Sequence, residues 1–382
     1  MALTGVTVTK TTIEIACTLT DTRTLCTTCG VECTVVKDRS ARRLRDLNIS
    51  ERAVYLVVSM RQFRCPTCGS CPTEQLPCAD ANKSCTHRQV RCVFIWCRKQ
   101  AYYEVGAIVG MHAKRVERLV LDQCRQAEQL PQRYVGLRRL GIDEQSHRKG
   151  KKPFICLLTN LDTGTVVDIL PDRKKETFVA YFQKLGPAFC QQITTVSRDI
   201  WQPYLAVAAT CFPQATRVLD RFHVVKLLHQ GLDAFRRRLR KDAPDEAGYK
   251  QLKWLLFKQY HRLTDAELDT SQGTFAVNAA LETAYFLREE FHHILDRPQA
   301  VDSAMGLLDQ WIARIQTQKV TRFDAFIRTL QRHKEPIANY VLDNVSDAVT
   351  EGLHNLVRSI RRCAFGMPNS QHLRLRVMAI SG

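Results

Sequence analysis

Two copies of the pattern Cys-x-x-Cys-Gly restrict the fold of this chain more than any other feature. They are Cys26-Thr27-Thr28-Cys29-Gly30 and Cys65-Pro66-Thr67-Cys68-Gly69. Each is a tight knuckle that aims two thiolates at one point, and together Cys26, Cys29, Cys65 and Cys68 supply the four ligands of a structural Zn2+ site. Cys33 and Cys71 lie a few residues beyond the knuckles and could replace a neighbouring ligand. Reduced core cysteines are the competing explanation. Sixteen cysteines would suggest disulfides in a small secreted chain, but this one has 382 residues and no basic-then-apolar leader over Met1 to Lys10. Metal ligation plus free thiols is therefore expected.

Charge narrows the partners. Lys and Arg number 56 against 38 acids, a formal net charge of +18. Such a surplus attracts phosphate backbones, so nucleic acid is the first partner to consider and an acidic membrane surface the second. No run of 18 apolar residues exists, so the expectation is a soluble, cytoplasmic protein with no membrane association.

Between the knuckles, Arg39, Arg42, Arg43 and Arg45 precede a strand-like run, Ala53-Val54-Tyr55-Leu56-Val57-Val58. They serve either DNA or a solvated face. Residues 72–88 are polar with Pro72 and Pro77 and read as a linker. Beyond them, Val105, Val109, Met111, Val116 and Leu119 flank Gly110, with Gly106 one turn earlier. A glycine bend between two short apolar-faced helices is the layout of a helix-turn-helix, whose second helix would run from Ala113 to about Gln126. It carries Lys114, Arg115 and Arg118 toward DNA; an ordinary helical hairpin, with His112 where Ser or Thr would cap, is the alternative.

From Arg139 the pattern changes. Leu140 and Ile142 alternate with Gly141 and Asp143, a strand that delivers an acid at its end. A glycine-and-lysine turn through Lys152 leads to strands at Phe154–Leu158 and Thr165–Leu170, separated by Asp162-Thr163-Gly164. Phe178, Tyr181, Phe182 and Leu185 then mark one helix face. Ile193–Ser197 reads as a strand running into Arg198-Asp199, Tyr204–Thr210 as a short helix, and Ala215–Leu219 as a strand ending at Asp220. Glu144 adjoins Asp143 but falls on the opposite face, because side chains alternate along a strand.

Residues 224–345 read as all-helical. Arg236 and Arg237, in a basic cluster, either grip DNA or form a solvated face. Trp254 and Trp311 are read as core residues in preference to stacking platforms. On a helix from Glu351, Asn355, Arg358 and Arg362 share roughly a 60° sector with the glutamate, while Leu353, Leu356, Val357, Ile360 and Ala364 face the other way. An acid meant for metal followed by arginines meant for phosphates has this layout, as does an ordinary amphipathic surface helix.

The phrases Leu140-Gly141-Ile142-Asp143-Glu144, Val196-Ser197-Arg198-Asp199, Leu219-Asp220-Arg221-Phe222-His223-Val224-Val225 and Glu351-Gly352-Leu353-His354-Asn355, with the cysteine pairs, resemble the DDE transposases of the ISL-type insertion sequences over nearly the whole chain. The resemblance implies a multidomain α+β and α/β protein. Its expected parts are a zinc-ribbon-like head (1–85), a helix-turn-helix (86–132), a ribonuclease-H-like mixed-sheet core (133–223), an all-helical insertion (224–345) and a final core helix with the catalytic Glu (346–382). It implies Asp143, Asp199 and Glu351 as the catalytic acids holding two Mg2+ or Mn2+ ions, with Asp220 and His223 as a secondary motif explained equally well as a hydrogen-bonded pair. It further implies binding of terminal inverted repeats and target DNA, nicking followed by 3′-hydroxyl attack, a homodimer or larger assembly on DNA, and a bacterial, nucleoid-associated location. Rival readings are a transposase-derived DNA-binding regulator, which would not need the acids, and a ribonuclease-H-type nuclease, which would not need two upstream DNA-binding modules.

Overall fold

A computed structural model describes residues 1–128, 131–146, 154–200, 202–242, 248–318, 320–343, 347–365, 367 and 369–381. Cα proximity divides the chain into two compact units, residues 1–130 with 357–380, and residues 131–356 with 381–382.

The first unit begins with six strands: β1 (Ala2–Val8), β2 (Thr12–Thr18), β3 (Thr24–Leu25), β4 (Glu32–Cys33), β5 (Val35–Ile49) and β6 (Arg52–Arg64). Four of them form a sheet in the order β1-β2-β6-β5, while β3 and β4 pair as a small hairpin around the first knuckle. The run expected to start at Ala53 is the inner part of β6, and the four arginines do not merely precede it. They lie within β5, where Arg43 faces Val57 and Arg45 faces Tyr55. Alternation in a half-buried strand tolerates Arg on its outward positions, and Arg45 is an exception because its guanidinium finds carbonyls at Asp46, Val54 and Val109.

Residues 72–86 are not a linker. Glu74 is buried against Arg61, Leu76 and Ala79 are buried in a cluster with Leu44, Val58 and Met60, and Cys85 bridges to Arg45. The prolines that suggested a linker remove only donors that this irregular segment does not use in a ladder. Helix α1 (His87–Cys97) is capped by the Thr86 side chain. Helices α2 (Tyr102–Val109) and α3 (Ala113–Glu128) are joined by a three-residue turn in which Gly110 takes φ +64°. His112 does cap α3, its Nδ1 accepting from the Lys114 N–H at 3.2 Å. Val93, Val105, Val109, Val116 and Val120 form the core of these three helices.

The second unit holds β7 (Arg139–Ser146), β8 (Phe154–Asn160), β9 (Thr165–Leu170), β10 (Thr195–Arg198) and β11 (Thr216–Leu219). Their order is β11-β10-β7-β8-β9. The first three are mutually parallel, and β7-β8-β9 is an antiparallel meander. The expected glycine-and-lysine turn lies outside the described residues. Helices α4 (Lys175–Leu185), α5 (Pro187–Gln192) and α6 (Gln202–Cys211) accompany the sheet, with Phe178, Phe182, Tyr204 and Phe212 buried against Leu140, Ile142 and Val196.

After β11 the described residues contain helix and no strand: α7 (Arg221–Asp242), α8 (Gly248–Leu255), α9 (Asp265–Val277), α10 (Ala279–Asp296), α11 (Val301–Thr317), α12 (Asp324–Arg332), α13 (Lys334–Ala338) and α14 (Tyr340–Asp343). Their core is centred on Trp311, fully buried, with its indole N–H donating to the Leu287 carbonyl at 2.8 Å. Trp254 departs from the core reading: it is 71% exposed. Helix α15 (Asp347–Cys363) follows, and α16 (Ser370–Ser381) returns to the first unit, where Leu375 joins the α1–α3 core. No helix among the described residues is long and apolar enough to cross a membrane.

Candidate functional site

The two knuckles meet. Gly30 and Gly69 take φ +73° and +71°, the left-handed turns that let each Cys-x-x-Cys fold back on itself. β6 leads into the second knuckle and the β3-β4 hairpin holds the first, so the sulfurs of Cys26, Cys29, Cys65 and Cys68 lie within 4.8 Å of one another. Cys26 is 3.5 Å from Cys68, and Cys29 is 3.5 Å from Cys65. Zinc–sulfur bonds of about 2.3 Å in a tetrahedron place sulfurs about 3.8 Å apart, so the four thiols fit that ion. The Ser70 hydroxyl, aided by backbone N–H groups, pulls the Cys26 thiol down to about 5, toward the thiolate that a metal requires. Cys33 and Cys71 stand outside the cluster. Cys33 is fully buried, with burial pushing its thiol up to about 11, and Cys71 accepts from Lys37 Nζ.

A second cluster forms at the C-terminal ends of the parallel strands. In register, Arg198 of β10 faces Ile142 of β7 and Leu219 of β11. The next residue on each strand is therefore Asp199, Asp143 or Asp220, and three carboxylates arrive side by side. β7 itself continues past Asp143 to Ser146, because the hairpin with β8 goes on pairing. Asp220 caps α7 by accepting the Phe222 N–H at 2.9 Å, and the first turn of that helix swings His223 back over the strand ends. His223 Nδ1 is 2.9 Å from Asp199, and its Nε2 is 3.7 Å from Asp143 and 3.9 Å from Asp220. His223 is thus closest to Asp199, and Asp220, its partner in the Asp-x-x-His spacing, lies farther off at 3.9 Å. Glu144 does face away, paired with Arg173 at 2.9 Å.

Burial pushes the His223 imidazole down, but Asp199, then Asp143 and Asp220, outweigh it and hold the ring above its ordinary value. Burial raises the Asp143 carboxyl against the pull of His354 and His223, whereas at Asp199 the His223 hydrogen bond overcomes burial and keeps the carboxyl low. The site therefore calls for positive charge among hard oxygen donors, the donor set suited to a divalent ion such as magnesium. Asp143, Asp220 and His223 have ligand atoms within 4.8 Å of one another, which adds a third ligand to the two visible in the Asp-x-x-His spacing.

Glu351 is exposed on α15 and is not a member of that cluster. One turn later on the same helix His354 is buried, with Nε2 3.5 Å from Asp143. In the sequence this histidine stood within the resembling phrase Glu351-Gly352-Leu353-His354-Asn355, three residues after the glutamate, without a role of its own. Asn355, Arg358 and Arg362 are exposed while Leu353, Val357 and Ile360 are buried, as the helical sector required. Among the other basic candidates, Lys114 and Arg118 are exposed, but Arg115 is engaged by Ser84 at 2.9 Å. Arg236 is buried against Asp233 at 2.7 Å, leaving Arg237 as the exposed member of that pair.

The four cysteines gathered by the two knuckles, and Asp143, Asp220 and His223 at the strand ends, are each a group that could hold a metal ion, and the sequence comparisons state what class of protein carries them. Residues 140–377 match the transposase family of the ISL3 DDE type, and the chain belongs to it. Residues 22–68 match the zinc finger of the transposases of IS204, IS1001, IS1096 and IS1165. The chain is 26% identical over 362 residues to the transposase for insertion sequence element IS1001 of Bordetella parapertussis, covering 93% of this chain and 88% of that one. It is also 26% identical over 377 residues to the transposase for insertion sequence element IS1557 of Mycobacterium tuberculosis, covering 90% and 83%.

Proposed function

We propose that the chain nicks the ends of an insertion element at its terminal inverted repeats and joins the freed 3′-hydroxyl to target DNA. The observation that supports this most is the convergence of Asp143, Asp199 and Asp220 on His223 in a member of a transposase family. Phosphodiester cleavage brings an anionic nucleophile to an anionic phosphate, so the site must neutralise charge at both the attacking and the leaving oxygen. Bound between the carboxylates, a pair of Mg2+ or Mn2+ ions about 4 Å apart would do this. We assign Asp143, Asp199 and Glu351 as the acids that hold them, Glu351 being carried by the helix whose His354 lies against Asp143. His223 orients Asp199 through its 2.9 Å hydrogen bond, and Asp220 fixes His223 by capping α7. Arg173 keeps Glu144 out of the site. The strand order β11-β10-β7-β8-β9 fits a ribonuclease-H-like core over 133–223 joined by the part of α15 before Val357, with 224–345 as its helical insertion, while the expected continuation of that core to 382 gives way to the grouping of 357–380 with the first unit.

In the same reading, 1–85 is a zinc-ribbon-like DNA-binding head, and α2 with α3, within 86–132, is a helix-turn-helix offering Lys114 and Arg118. Arg237, Arg358 and Arg362 meet phosphates, while Arg115 and Arg236 support the fold around them. Two element ends must be joined together, so the working form on DNA is a dimer or larger.

The test is a donor plasmid bearing the cognate inverted repeats, incubated with magnesium or manganese and either the native chain or Asp143→Asn. Cutting at the repeat ends by the native chain alone is expected. Equal cutting by both sinks the assignment, and repeat binding without cutting under either ion would leave a DNA-binding regulator.

A further inference from the structure

Helix α7 leaves the acidic cluster carrying a second feature. One residue before His223, Phe222 is 52% exposed, and its ring stands edge-on to the imidazole at 5.4 Å. Beside it a cavity of about 360 Å³ opens between α7, α8 and the segment that follows α8. This lies within the range of sites that accept small planar ligands. Its far wall is aromatic: His229 stacks on Phe257 with centroids 4.7 Å and planes 8° apart. Burial, then Arg288, pulls the His229 imidazole down to about 4, so that wall is uncharged near neutral pH.

The rim is cationic. Lys226 Nζ lies 5.9 Å from the Phe222 ring, and Lys253 Nζ lies 4.8 Å from the ring of the exposed Trp254. The acid of the lining, Asp233, is already paired with Arg236 and Arg237. Aromatic faces interleaved with cations match an apolar plane flanked by phosphates, the chemistry of a nucleotide. Bases in a duplex are stacked and out of reach, so an occupant must have left its stack.

We propose that this cavity receives one unstacked nucleobase of the DNA strand lying in the acidic cluster, with Phe222 as its stacking face and Lys226 and Lys253 on the flanking phosphates. The inference rests on the DNA reading above and adds to it a place for a base.

The experiment measures fluorescence anisotropy of the full zinc-loaded chain with three probes: oligothymidylate, an abasic strand with the same number of phosphates, and a blunt duplex. Oligothymidylate should bind at least about tenfold tighter than the abasic strand, the order of one base–aromatic stack. Phe222→Ala should erase that preference without changing the Kd for the abasic strand, and Phe222→Tyr should keep it. Phe222 is exposed, so the fold is not at stake. Equal affinity for the two strands alongside duplex binding overturns the base site and leaves the DNA reading intact. A preference that survives Phe222→Ala places the stacking elsewhere and also overturns it. Failure to bind any of the three defeats both.

Discussion

Two ion pairs in the first unit have the same length and opposite surroundings, and comparing them tests how residues 72–86 are held. Arg61 Nη2 lies 2.8 Å from Glu74, with the side chains 11% and 5% exposed. Arg43 Nη2 lies 2.8 Å from Glu14, with the side chains 49% and 41% exposed. Glu74 accepts two further bonds, from the Arg61 backbone N–H at 2.7 Å and from Nε at 3.0 Å. Glu74→Ala therefore strands a buried guanidinium and a buried N–H. Breaking such a pair costs about 3 to 5 kcal/mol. The Leu19 and Asp21 carbonyls still accept from Nη2, which puts this case near the lower end, about 3 kcal/mol or roughly two decades in the opening equilibrium. Glu14→Ala removes a solvated pair and should cost under about 1 kcal/mol. Hydrogen exchange of the β6 amides reads the difference directly. The same loop carries Pro72 and Ser70, whose carbonyls accept from Phe63 and Cys65, so zinc should pass to a chelator faster in Glu74→Ala. If β6 exchanges no faster in Glu74→Ala than in Glu14→Ala, the segment is not clamped as described.

Other expectations follow from single sites. A Cβ on Gly106 would stand 2.5 Å from the Met111 carbonyl oxygen, whereas one on Gly273 meets nothing within 4 Å. Gly106→Ala should lose about 1 to 3 kcal/mol and Gly273→Ala lose nothing or gain up to about 1 kcal/mol, read as Tm shifts by calorimetry. Burial raises the Asp46 carboxyl, but hydrogen bonds from Arg88 and Thr86 outweigh it and hold it below the ordinary range. Its contribution is thus present above the unfolded value of about 4 and lost as pH falls through the lower folded value. Asp46→Asn should flatten the acid limb of the first unit's stability profile, and an unchanged limb would refute this. Atomic spectroscopy should find one zinc per chain, retained in Cys33→Ser and Cys71→Ser and lost in Cys65→Ser.

Local pattern made much of this legible. The alternation at Leu140 and Ile142, the turn at Asp162-Thr163-Gly164 and the helical face of Phe178 and Phe182 each specify an element by period alone, and each appears in its expected place. The cysteine pairs were legible because ligand geometry leaves few alternatives. What escaped was decided by neighbours distant in the chain. Residues 72–86 look like a linker until Arg61 and Arg45 claim them. Trp254 resembles Trp311 in sequence, yet Trp311 has Leu287 and three phenylalanines around it while Trp254 lies largely in solvent. His354 carries no meaning in its own helix and acquires one only when α15 is laid beside Asp143.

That last arrangement governs when the centre comes into being during synthesis. Asp143 leaves the ribosome with the first strand of its sheet, but His354 follows only after every helix from α7 to α14 has been made. A chain released early by a stop codon, or clipped within the helical stretch, carries the aspartates without the partner that closes over them. Only a chain that has passed through all of those helices can therefore bring this histidine to the first of the aspartates.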